Sequence, residues 1–118
     1  METVFVLLKR RKGMSFDAFR AHYEGSHAKL GEKYFGHLFA SYRRHYIPEG
    51  TRFSDGAAIE NAYDCITELV FRDAGGYAEL RRIVADPEIQ RILKEDEALF
   101  LDREACANAR SQLIASAV

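Results

Sequence analysis

The chain has only two cysteines, Cys65 and Cys106, in 118 residues. They are far apart and form no CxxC pair, which excludes a disulfide-dense secreted scaffold and a cysteine-built zinc site. Both fall in strand-like stretches, where a free thiol serves as a small hydrophobe. There is no surplus of positive charge: 17 Lys+Arg stand against 18 Asp+Glu, a net charge of -1. Nucleic acid is therefore not expected as a main partner, since phosphate binding needs a basic surplus or stripe. The one dense basic run, Lys9-Arg10-Arg11-Lys12, lies between a strand and a helix and reads as a solvated turn. No apolar run approaches the length of a membrane span. The apolar opening, Thr3 to Leu8, is too short for a signal peptide and follows an acid. A soluble, reduced, cytoplasmic protein is the expectation. Gly75-Gly76 is a lone pair rather than a phosphate loop, and neither GxSxG nor HExxH occurs. Glu24-x-x-His27 has the helical spacing of a carboxylate-bridged iron motif, but the second copy such a site requires is missing. No metal, haem or nucleotide cofactor is expected.

What is present reads as one domain over residues 1–118, large enough to bury a core without metal or disulfide. Residues 3–9 (TVFVLLK) form a strand apolar on both sides. After Gly13, Ser15 occupies an N-cap position and Asp17 the first turn of a helix from about Phe16 to Leu30, which then frays or continues in shorter form to Tyr34, with Gly31 and Gly36 punctuating its end. Residues 37–47 (HLFASYRRHYI) alternate as a strand, with Leu38, Ala40, Tyr42, Arg44 and Tyr46 on one side. Residues 48–61 carry no steady period and read as a long loop. In the strand YDCITELVF, residues 63–71, Asp64, Ile66, Glu68 and Val70 share a face. A helical stretch after Asp73 is followed by a second helical piece opened by Pro87. The last strand, about Glu104 to Leu113, is assigned by elimination, against the helix preference of its alanines. The order β-α-β-β-α-β predicts an α+β, ferredoxin-like protomer: a four-stranded antiparallel sheet with helices on one face. The strands are apolar or aromatic on both sides, so the uncovered face predicts a homodimer formed through the sheet.

Two residues interrupt apolar stripes. The first helix runs Phe16, Phe19, Tyr23, His27, Leu30, and its fourth position is an imidazole. The last helix runs Ile89, Leu93, Asp96, Phe100, and its third is a carboxylate. A buried carboxylate seeks a partner or stays protonated. Both helices lie on one face of the sheet in this arrangement, so His27 and Asp96 can pair. The pair is either a catalytic base with its orienting acid or a bond that closes the helix–sheet core. Asp64 and Glu68 either join that pocket or face the partner subunit and pair with Arg43, Arg44 or His45. Tyr42 is the candidate phenol donor to a substrate oxygen.

Three segments together resemble the EthD-like family of dimeric α+β barrel proteins: KRRKGMSFDAFRAHYEGSHAKL, YDCITELVF and DPEIQRILKEDEALFLDR. The likeness departs from the family where Lys12 stands before the first-turn glycine, a place often held by proline. The resemblance implies a protomer that dimerises sheet to sheet into a barrel enclosing a pocket. Relatives of this architecture include polyketide cyclases, muconolactone isomerases, haem-binding chlorite dismutase-like proteins and cofactor-free monooxygenases, so the fold implies a pocket and leaves the reaction open. The leading expectation is a protein that takes a small hydrophobic or aromatic molecule and runs cofactor-free acid–base chemistry of the cyclase, dehydratase or isomerase type. His27 moves the proton, Asp96 orients it, and Tyr42 or Glu68 stabilises an enolate. Phe16, Phe19, Tyr23, Asp64, Ile66 and Phe100 are the expected substrate-binding surroundings. The alternatives are a non-catalytic accessory protein of a pathway oxygenase and a cofactor-free monooxygenase.

Overall fold

The computed structural model describes residues 1–118. Its main sheet has four antiparallel strands, β1 (Thr3–Leu8), β2 (Phe39–Tyr46), β5 (Cys65–Phe71) and β6 (Ala107–Arg110), in the order β2-β5-β1-β6. This is the predicted α+β arrangement, with β1 and β5 at the centre. The loop of residues 48–61 contains a two-stranded ribbon, β3 (Gly50–Thr51) with β4 (Ala58–Ile59). Two-residue strands are too short to show a period in sequence.

Alternation sorts the sheet cleanly into two faces. In β5, Cys65, Thr67, Leu69 and Phe71 are buried, and Val4 and Leu8 join them from β1. That face packs against the helices. On the other face lie Phe5 and Leu7 of β1, beside Ile66, Glu68 and Val70 of β5. The alternation predicted for β2 fails at one point: a bulge between Phe39 and Ser41 shifts the register. The extra residue puts Phe39 on the helix side with Tyr42, their ring centroids 5.5 Å apart, where strict alternation had separated them.

The first helix continues past Leu30 to Phe35 and is not uniform. It comprises α1 (Phe16–His22), a π-helical turn at Tyr23–His27 and α2 (Ala28–Phe35). Ser15 caps it, accepting from the Ala18 amide at 3.1 Å. Within the wide turn the Ala28 amide reaches back five residues to the Tyr23 carbonyl. The buried stripe therefore runs Phe19, Tyr23, Ala28, Phe35 instead of continuing through Leu30. One extra residue has been absorbed, and both halves of the helix keep an apolar side on the sheet. Gly31, expected at the helix end, lies inside α2, where its missing side chain admits the Tyr42 ring: an added Cβ would sit 3.2 Å from the phenol oxygen.

On the other side of the crossover, α3 (Gly76–Val84) follows Gly75, which adopts φ +84°. Helix α4 (Pro87–Ala98) has Pro87 in its first turn and Asp86 as cap, accepting from the amides of Glu88 and Ile89. One core cluster gathers Leu8, Phe19, Tyr23, Ala28, Cys65, Phe100 and Leu101. A second gathers Val4, Phe35, Phe39, Leu69, Phe71 and Leu93. The space between these clusters, under the helices, is where the cleft described next opens.

Candidate active site

Asp96 projects from α4 toward the wide turn of the first helix. Its Oδ2 lies 2.9 Å from His27 Nδ1, and its Oδ1 lies 3.0 Å from His22 Nε2 and 2.7 Å from the Ser26 hydroxyl. Three donors from a single helix thus meet one carboxylate. On a regular α-helix His22 and His27, five apart, would point about 140° away from each other. The i→i+5 turn that begins after His22 brings them to the same side. π turns of this kind recur at functional sites.

Burial alone would raise the Asp96 pKa. The Ser26 hydroxyl and the two imidazoles more than offset it, and the net shift is downward. The carboxylate is therefore ionised near neutral pH and can only accept. It follows that Nδ1 of His27 carries the proton it shares with Asp96, so the neutral ring leaves Nε2 free as a base. Nε2 is 4.0 Å from a Glu97 carboxylate oxygen. A ring that has taken up a proton would lie between two acids. Phe100, fully buried, backs the arrangement: its ring lies 4.7 Å from that of His22, stacked, and 5.2 Å from that of His27.

His27 is on the wall of a cleft of about 540 Å³ between the helices and the sheet. Tyr23, Tyr42 and Thr67 supply its inner polar groups, while Val6, Leu8, Phe35, Phe39, Leu69 and Leu93 make the apolar lining. Tyr42 Oη is 3.2 Å from Tyr23 Oη, which is 2.7 Å from Thr67 Oγ1. Burial pushes both phenols up, so they stay protonated donors. Arg44 stacks over the Tyr42 ring at 4.8 Å and is itself fixed by Glu24, which also accepts from the Tyr46 hydroxyl. The Arg44 hydrogen bond is the main cause of the lowered Glu24 pKa. Glu24 is thus engaged at the sheet edge, apart from His27.

The structure brings His27, Tyr23 and Tyr42 to the cleft, with Asp96 bonded to His27. It does not bring the other expected residues to the cleft. Glu68 and Ile66 lie on the opposite sheet face, where Glu68 pairs with Arg43 at 2.5 Å and stands 3.9 Å from His45. Asp64 precedes β5 instead of belonging to its alternation. It is buried, accepts from the Arg10 amide at 2.8 Å and stands 3.7 Å from Lys9 Nζ. Half of the basic run is thereby anchored, and only Arg11 and Lys12 remain in the exposed turn. Phe16 packs on Tyr46, and Phe19 on Phe100 and Tyr23. These rings and Phe100 belong to the packing behind the cleft and not to its surface. His22, Ser26 and Glu97 carry no sequence signal that marks them as site residues. The first two occupy ordinary polar helical positions that acquire a role only through the wide turn. Glu97 follows Asp96 directly on α4 and was hidden by its exposed-face spacing.

Residues 11–104 match the EthD domain family. No curated protein matches the chain. Among solved structures, an EthD-family protein from Bacillus halodurans C-125 is similar at 17% identity, covering 97% of this chain and 100% of its own, with a TM-score of 0.62. A protein from Arabidopsis thaliana is similar at 15% identity over 100% of both chains, TM-score 0.60. A NIPSNAP domain protein from Burkholderia xenovorans follows at 16% identity, covering 99% of this chain and 96% of its own, TM-score 0.51. At these identities the likeness concerns the fold.

Proposed function

The chain belongs to the EthD family, and from that premise we propose that it binds a small hydrophobic or aromatic molecule in the cleft and performs cofactor-free acid–base chemistry on it. One observation carries this reading: His27 lines the cleft while its Nδ1 is held by an ionised carboxylate 2.9 Å away. Such a pairing fixes the ring's tautomer and leaves the lone pair of the other nitrogen facing the cleft side of the ring. His27 Nε2 removes a proton next to a substrate carbonyl. Asp96 holds the resulting imidazolium, with Glu97 close by. The Tyr42 phenol, kept protonated by burial, donates to the developing enolate oxygen, and Tyr23 and Thr67 position it. The same proton transfer serves cyclisation, dehydration and isomerisation. A cleft of this volume falls in the range of sites for small organic ligands.

His27→Ala should abolish turnover of a cleft-binding carbonyl substrate while leaving ligand affinity within a few-fold. Turnover near the wild-type rate would remove His27 as the base. Ligand binding without turnover in the wild type, with activity appearing only beside an oxygenase, would make the protein an accessory one.

The exposed sheet face supports a second part of the proposal, a homodimer. Phe5, Leu7, Ile66 and Val70 form an apolar strip there that no helix covers. Light scattering at micromolar concentration should give about twice the 13.5 kDa chain mass. A monomer at that concentration would rule out the sheet-to-sheet barrel.

A further inference from the structure

Polarity within the cleft is uneven. Its inner part is apolar apart from Tyr23, His27, Tyr42 and Thr67, whereas charge is confined to residues of α3, α4 and the approach to β6. The charged lining residues are Arg81, Lys94, Glu97, Arg103 and Glu104. Two of them cancel: Arg103 holds Glu97 at 3.0 Å. Arg81 on α3 and Lys94 on α4 have no carboxylate partner and no side-chain hydrogen bond, and Glu104 is unpaired as well.

Arg81 differs from most of the other arginines in the chain. Its neighbour Arg82 is held by Glu79, and Arg91 on α4 by both Glu88 and Glu95. Arg72 donates to the Phe39 carbonyl. Only Arg81 and Arg11, the latter in the exposed basic turn, lack any such partner. A guanidinium presents a planar fork of donors suited to a carboxylate or phosphate. Gln90 lines the same region and adds an uncharged donor.

We infer that the cleft takes an amphipathic organic anion: an apolar, ring-bearing body lying against Phe35, Phe39, Leu69 and Leu93, and an anionic head held by Arg81 and Lys94. This rests on the cleft being a small-molecule site, and it narrows the ligand class. It also gives the ligand a direction. With its head at the charged end, the body points inward to the surfaces carrying His27 and Tyr42.

The test uses a matched pair of probes, 2-naphthoate and 2-naphthol. They share a ring system but are anionic and neutral, respectively, near pH 7. Binding of each to the full chain is measured by calorimetry or fluorescence at low and high salt, for the wild type and for the double variant Arg81→Ala with Lys94→Ala. Both side chains are exposed, so the variant should fold, and circular dichroism confirms it. The naphthoate should bind about tenfold tighter than the naphthol at low salt. That advantage should vanish in high salt and in the double variant, while naphthol affinity stays the same. Equal affinity of the two probes in the wild type, or an advantage that survives in the double variant, overturns the anionic-head assignment while leaving the cleft as an apolar site. Failure of both probes to bind removes the small-molecule reading itself and this inference with it.

Discussion

Replacing Asp96 with alanine should destabilise the protein, and the size of the loss follows from the three donors that meet there. Removing the carboxylate leaves His22 Nε2, His27 Nδ1 and the Ser26 hydroxyl without the partners they hold at 2.7–3.0 Å. The imidazole side chains retain 22% and 17% of their exposure, so water takes over part of what is lost. At about 1 kcal/mol net for each bond, the total is about 2–3 kcal/mol. For a chain of this length that lowers the melting temperature by about 10 °C. Asp96→Asn keeps the shape but not the charge, and should fall about midway. The pH dependence has a definite sign. The folded-state pKa of Asp96 is depressed, so its contribution is complete above the ordinary aspartate value of about 3.9 and disappears as pH falls through the folded value. Urea titrations of wild type and Asp96→Ala across that range should therefore converge toward acid. A neutral-pH difference under about 0.5 kcal/mol, or a gap that does not narrow in acid, would refute the account of Asp96 as the anchor of the wide turn.

Two further outcomes follow from the packing. Gly76→Ala places a Cβ 2.6 Å from Phe71 Cδ1, in a core ring with no exposure, and should cost about 1–3 kcal/mol in urea denaturation; an unchanged midpoint would mean that α3 can shift off the sheet without penalty. Burial pushes the Cys65 thiol up to about 11, so iodoacetamide should label it only after unfolding, with half-buried Cys106 labelled first, as mass spectrometry of partial digests would report.

The strands and their order were legible in the sequence because each has one face that must be buried, and a period of two exposes that demand. Pairing of His27 with Asp96 was legible for a related reason: each breaks an apolar stripe, and the topology puts both stripes over one sheet. What the sequence concealed lies where the period itself changes. The bulge at Phe39 moves a ring to the helix side without altering its neighbours' identities. The wide turn at Tyr23–His27 recruits His22 and Ser26, which a uniform 3.6-residue helix places elsewhere. Asp64 misled because it precedes the first paired residue of β5, where alternation does not yet apply. Glu68 was placed on the correct strand face, but which face meets the helices depends on the packing of all four strands.

The single additional residue in the first helix bears on its buried stripe and on its polar side alike. Shortening the turn, for instance by deleting Gly25, whose surroundings are open, would let the Ala28 amide reach Tyr23 through an ordinary i→i+4 bond. Phe19, Tyr23, Ala28 and Phe35 would still face the sheet, and the fold would persist. His22 and His27 would then stand four residues apart, about 40° from each other on a regular helix, so their convergence on one carboxylate would persist as well. The wide turn is thus an inserted residue that the helix absorbs while its buried stripe and its Asp96-facing side both stay in phase.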